Sequence, residues 1–311
     1  MSRYRRLLFR MSIPPSGIAL IPLSFAIFFF APQRLGQAAI VAAVFAAASV
    51  LNLGGGTFPV GIAPFYFIAL LIAFRSIPKW LNYGLKAPMS EPLRRHLQAL
   101  TAFVGWAALS AFLLPILFRG LPVDLGRAGP DATYYTRLPL DWSLSNAGQA
   151  GYLLLDLVVV LHLVEGTRTP ADLRALSVSF STSGLIVLAV GAYQFFAHHF
   201  GLPFPSELFN SNPAWAQLTG QDLDGASRIS ATFDESSGAG TFLAAWVSFE
   251  LVLGVSHAAN RWMHLVFALV GIAIVIGTTS TTGYITTAVM LLYILSCQFF
   301  DLSRKRGSAL V

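Results

Sequence analysis

Between Arg228 and Gly238 the chain reads Arg-Ile-Ser-Ala-Thr-Phe-Asp-Glu-Ser-Ser-Gly: a cation, an acid pair and a serine pair set directly before a long apolar run. Each residue type has a chemistry. The planar guanidinium of Arg228 can grip two phosphate oxygens at once. Asp234 or Glu235 can take a proton from a hydroxyl; a carboxylate bonded to the arginine would accept protons poorly and serve to position it instead. A helix starting near Gly238 offers free backbone N–H groups to an anion. A plainer reading explains the acids and serines equally well: Ser236 or Ser237 caps the helix and the acids complement its dipole. That reading leaves Arg228 only as a partner for the acids. Capping and ligand binding are compatible, and charge held at a membrane boundary is costly enough to mark a site.

Weaker signals lie elsewhere. The segment 119–147 carries Arg119, Arg127 and Arg137 among three aspartates, with Tyr134, Tyr135 and Trp142. It reads as a solvated loop with an interfacial aromatic belt, or as an arginine-and-aromatic surface for sugars and phosphates. The segment 200–237 holds Pro203-Phe-Pro and Asn210-Ser-Asn-Pro, with Asn212 as a candidate sugar ligand, before it reaches Arg228. Thr278 to Gly283 is a run of five hydroxyl residues and a glycine. It makes a polar turn bonding its own helix ends, or a cavity lining in which Ser280 and Thr281 orient sugars. Asp156, His162, Glu165 and Glu250 fall inside apolar segments, where acids suggest a proton path or an ion pair; the last three can also reach the headgroups. His198 and His199 read as interface histidines. No Cys/His metal pattern or glycine-rich phosphate loop occurs, so neither metal nor cofactor is expected.

The elements that must position these residues are membrane helices. Of 311 residues, 55% are hydrophobic and 11% charged, against roughly a quarter charged in soluble domains. Nine apolar segments stand out, at 13–31, 36–53, 57–75, 97–118, 148–165, 175–197, 238–256, 263–277 and 281–300, each near the roughly 20 residues that span a bilayer. The net charge of +6 comes from short basic clusters between these segments, which orient a membrane protein and do not form a nucleic-acid surface. The fold expected is an all-α polytopic bundle of about eight to ten transmembrane helices, one integral domain over 1–311. Five basic residues against one acid place 75–96 in the cytoplasm. Both termini then fall inside, the first with its arginines as a retained signal anchor, and the loops 119–147 and 200–237 fall outside. Three segments before residue 75 conflict with two cytoplasmic termini. The triple glycine at 54–56 suggests that one early segment is broken or re-entrant, leaving eight crossings.

With these residues in view, the chain resembles the O-antigen ligase and polymerase-like membrane family from about Tyr193 to Tyr284. The resemblance rests on Tyr193-Gln194, the Pro-Phe-Pro and Asn-Ser-Asn-Pro turns, Arg228 to Ser236, and Ser280-Thr-Thr-Gly-Tyr284. Ser236 stands where the family pattern often has proline, and the family's usual further helices and second large external loop do not follow, so a short relative, a fragment or half of an assembly is expected. The resemblance implies transfer of a glycan from polyprenyl diphosphate at the periplasmic face of a bacterial inner membrane, by inversion and without metal. It implies Arg228, Glu235 and Asp234 as catalytic groups, with Ser236, Ser237, Ser280, Thr281, Arg127, Arg137 and Asn212 toward the substrate. Its implied partners are the lipid-linked glycan, membrane lipids and other polysaccharide assembly or export proteins. The rivals are a transporter or flippase with Asp156 central, and a non-catalytic membrane subunit. Polarity gathered in external loops favours transfer.

Overall fold

The computed structural model describes residues 11–53, 60–85, 89–124, 137–213, 222–223, 226–256 and 260–308. The described chain is mostly helical, with seven short strands, and divides into two compact units: residues 1–179 with 211–216, and 180–210 with 217–311. Five helices are long and apolar enough to cross a membrane.

The first unit holds α1 (Pro15–Phe30), α2 (Leu35–Ala42), α3 (Pro64–Tyr83), α4 (Glu91–Leu117), α5 (Leu144–Gly166) and the first third of α6 (Pro170–Phe200). Proline stands in the first turn of α1, α3 and α4, where its missing N–H leaves no bond unmade. Three helices run the same way. Phe25 and Phe28 of α1 meet Phe67 and Phe74 of α3, while Tyr66, Ser76 and Lys79 of α3 meet Tyr152, His162 and Glu165 of α5. At their finishing end Glu165, 5% exposed, accepts bonds from Lys79 Nζ at 2.7 Å and Trp80 Nε1 at 2.8 Å.

At their starting end lies an antiparallel sheet of β1 (Met11–Ser12), β2 (Leu51–Leu53) and β3 (Val60–Ile62). Here the sequence expectation needs two corrections. The apolar segment 36–53 is not one span: its helix stops at Ala42 and the chain turns into β2. The backbone beyond the helix finds partners outside it, Val50 N donating to Ile62 O at 2.8 Å and Ser49 N to Ser211 Oγ at 3.0 Å. The start of α1 also sits at this end, Ser16 Oγ lying 3.4 Å from Ser211 Oγ. It therefore cannot stand on the opposite side from that part of the 200–237 segment. The hairpin of β4 (Pro122–Asp124) and β5 (Arg137–Pro139) joins α4 to α5.

The second unit is built from the rest of α6, the single turn α7 (Ser206–Phe209), the ribbon of β6 (Asp222–Leu223) and β7 (Ala226–Ser227), and α8 (Ser236–Val255), α9 (Arg261–Gly277) and α10 (Thr281–Ser308). Small residues let its backbones close. A Cβ on Gly240 of α8 would stand 3.1 Å from Gly283 Cα of α10, and one on Gly184 of α6 would stand 2.1 Å from the fully buried Trp246 indole. Glu250 does not reach outward: it is 0% exposed, and its carboxylate takes a bond from Ser181 Oγ at 2.6 Å and pairs with His264 Nδ1 at 2.6 Å.

Candidate functional site: an arginine and histidine cavity in the second unit

After β7 the chain leaves the ribbon and crosses the ends of α6 and α9. Two hydrogen bonds to backbone carbonyls seat it there: Ile229 N donates to Gly277 O at 3.2 Å, and the Arg228 side chain donates through Nε to Thr278 O at 3.4 Å. Gly277 is needed for this approach, since a Cβ on it would lie 2.6 Å from Ile229 Cδ1. A third anchor is Gln194 of α6, 2% exposed, whose Oε1 accepts from Ser230 N and Ala231 N. Two non-glycine residues in this region adopt left-handed backbone, Ala231 at φ 52° and Thr279 at φ 48°. For a β-branched threonine that geometry is strained, and such strain gathers at functional sites. Thr279 Oγ1 is also buried without a hydrogen-bond partner among the described residues.

These contacts place Arg228, half-buried, on a cavity of about 400 Å³ lined also by Gln194, Phe195, His198, His199, Ser227 and Ile229. The α6 residues share a face because they fall at i, i+1, i+4 and i+5. The Phe195 and His199 rings lie parallel, 6.1 Å between centroids. A guanidinium and two imidazoles around one hollow make an environment suited to an anion, with Arg228 able to bond oxygen pairs and the histidines able to donate N–H groups.

The acids are placed differently. Neither Asp234 nor Glu235 lines this cavity. Glu235 is the residue before α8, with extended backbone, and its carboxylate takes a hydrogen bond from Ser237 Oγ. Ser236 is buried as the first residue of α8. Asp234 is half-buried, and burial, helped by the neighbouring charge of Glu235, holds its carboxyl above the usual aspartate range. At the turn after α9, Ser280 is buried and its Oγ accepts the Gly283 N–H at 3.2 Å, so it caps α10; Thr281 is exposed at the first position of that helix.

The remaining expected sugar ligands are not brought to this cavity. Asn212 belongs to the first unit, 1% exposed, with its Nδ2 donating to Gly61 O at 3.3 Å. Arg137 opens β5, paired with Asp124, and its side chain lies outside what is described. Arg127 lies outside the described residues. Sequence reasoning left Gln194, His198 and His199 out of the site. The available signal was an amide and a histidine four residues apart in the largely apolar second half of α6, hence on one face. Among the described residues, no group of three or more His, Cys, Asp or Glu side chains is placed to hold a metal ion. Compared with known proteins, the chain matches no family model, no curated protein and no solved structure.

Proposed function

We propose that this chain is a membrane glycosyltransferase that polymerises or ligates a glycan carried on polyprenyl diphosphate. The observation that carries the reading is Arg228 held beside His198 and His199 on one cavity, within the stretch that resembles the ligase and polymerase-like family. In this reaction an acceptor hydroxyl oxygen attacks the anomeric carbon. The bond from that carbon to the phosphate oxygen breaks, its electron pair leaves with the diphosphate, and the hydroxyl proton passes to a carboxylate. Arg228 stabilises the charge that develops on the leaving group. Asp234, half-buried outside that cavity and six residues after Arg228 in the chain, is the carboxylate we assign to that proton; Glu235 accepts a hydrogen bond from Ser237 Oγ.

The basic residues at the end of α3, at Lys86 and at the start of α4 assign that side to the cytoplasm. Counting helices onward from it puts the loops before α8 and after α9 on the periplasmic side and the end of α10 inside. The count takes α1, α3 to α6 and α8 to α10 as eight helical crossings, with the broken α2 segment returning the chain between α1 and α3. Replacing Arg228 by Ala should abolish polymerised or ligated glycan in cells at an unchanged membrane level of the protein. Wild-type glycan output from that variant removes Arg228 from the chemistry. One observation favours a second reading, proton-coupled transport: Glu250, wholly buried, meets the His264 ring at 2.6 Å, two ionisable groups in contact within the helices. Purified protein in vesicles separates the two. A transferase elongates lipid-linked glycan and releases polyprenyl diphosphate, whereas a transporter moves the substrate unchanged.

A further inference from the structure

We propose that the groove between α1 and α2 in the first unit binds one anionic phospholipid, its acyl chain along the groove and its phosphate on Arg34. The inference rests on the chain being membrane-embedded. The cavity holds about 340 Å³, with walls of Leu20, Leu23, Ile27, Val41, Phe45 and Ile68. Ser24 lines it too, but its Oγ donates to Leu20 O at 2.7 Å, so it demands nothing of an occupant. The α1 wall from Leu20 to Ile27 is roughly 10 Å long at ~1.5 Å per residue, a slot shaped for methylene groups. Polarity comes at the turn between the helices, where Arg34 and Gln37 line the same cavity.

Arg34 is the only charged residue from Met11 to Phe74. Its side chain is exposed, and among the described residues no carboxylate pairs with it. A lone guanidinium at the mouth of an apolar slot asks for an amphiphile with a negative head. The slot lies where α2, ending after eight residues, covers only part of α1, while Phe25 and Phe28 of α1 pack on α3. Left empty, its walls would lack contact partners on one side. Surrounding lipid supplies those contacts with any acyl chain, so choice among lipids falls to the head, where the arginine fork meets phosphate oxygens.

The test uses the full chain, extracted from membranes and incubated with phosphatidylglycerol or phosphatidylcholine, with retained lipid counted by native mass spectrometry. One phosphatidylglycerol should stay bound, favoured roughly five-fold over phosphatidylcholine, the scale set by one basic residue near an anionic head. Arg34→Gln should erase the preference and keep the acyl chain. Ala38→Trp, which fills the slot, should erase retention, with Val41→Phe as a milder filling variant should the first unfold. Wild-type protein that retains no lipid overturns the proposal, as does an unchanged preference in Arg34→Gln or full retention in both filled variants. Recovery of the chain in the soluble fraction sinks the membrane reading itself, an outcome separate from membrane-extracted protein that holds no lipid.

Discussion

Gln194 Oε1 accepts the Ser230 N–H at 3.0 Å and the Ala231 N–H at 2.7 Å, so one amide on α6 holds the loop that presents Arg228. Its Nε2 completes the clamp by donating to Ser230 Oγ at 3.3 Å. Gln194→Leu would leave two buried N–H groups without an acceptor, at about 1–3 kcal/mol each. Thermal unfolding of detergent-solubilised protein should show the loss, and glycan output should fall with it. Gln194→Glu keeps an acceptor for both N–H groups but buries an ionisable carboxyl, so it should melt between the leucine variant and the parent. Equal melting of the leucine variant and the parent would show that the loop is held by other contacts.

The Glu250–His264 pair can be taken apart in a similar way. Removing the Glu250 carboxylate leaves the Ser181 hydroxyl and the His264 ring nitrogen without their partner, at about 1–3 kcal/mol for each buried group left unsatisfied. Glu250→Ala should therefore unfold at markedly lower temperature. Glu250→Gln keeps an acceptor for Ser181 Oγ and should lie between. If both variants melt with the parent, the carboxylate has no structural task and the transport reading gains ground.

At the crossing of α8 and α10, a Cβ on Gly240 would meet Gly283 Cα, Thr278 Oγ1 and Ser280 Cβ at 3.1–3.3 Å. The first of these is backbone, which cannot rotate away. Gly240→Val should destabilise by roughly 1–3 kcal/mol through overpacking and should also move the turn that receives Arg228. Gly148, with open space around its Cβ position, is the control: Ala there should leave melting and output nearly unchanged.

Asp234 gives a pH dependence with a definite sign. Burial raises its carboxyl pKa in the folded chain above the unfolded value of about 3.9. The folded state then binds the proton more tightly, so this group's contribution to stability is full below the unfolded value and is lost as pH rises through the folded one. Asp234→Asn should flatten that part of the stability profile. An unchanged profile in the asparagine variant would assign the pH dependence to other carboxyls.

How far the sequence reveals these arrangements depends on the range of the interaction. Long apolar runs are local, and the helices α1, α4 to α6 and α8 to α10 fall close to the segments that hydropathy marks; α3 does not, since Val60–Ile62 of the marked 57–75 is strand β3 and the helix runs from Pro64 on to Tyr83. The start of α8 at Ser236, two residues before Gly238, is local too, because the acid and serine pairs precede an uninterrupted apolar stretch. The path of residues 43–53 is not local. Ala-rich composition reads as a span, yet Ser49 and Val50 are drawn out of a helix by Ser211 and Ile62. Gln194 is legible as a buried amide only once its partners, 36 and 37 residues onward, are known. Conversely, Ser280 stands next to the site in sequence and space but spends its hydroxyl on capping, as short polar turns commonly do.

The bonds from Ser49 and Asn52 to Ser211 span 162 and 159 residues, which sets an order on biosynthesis. A ribosome that has finished α1 to α5 has not yet made the serine on which residues 49–52 depend. The early part of the protein must wait, with those peptide groups satisfied by water or by an insertion factor, until more than two hundred residues have been translated. Nascent chains stalled before Ser211 should therefore be cut by protease near residue 50, and chains stalled well past it should be protected.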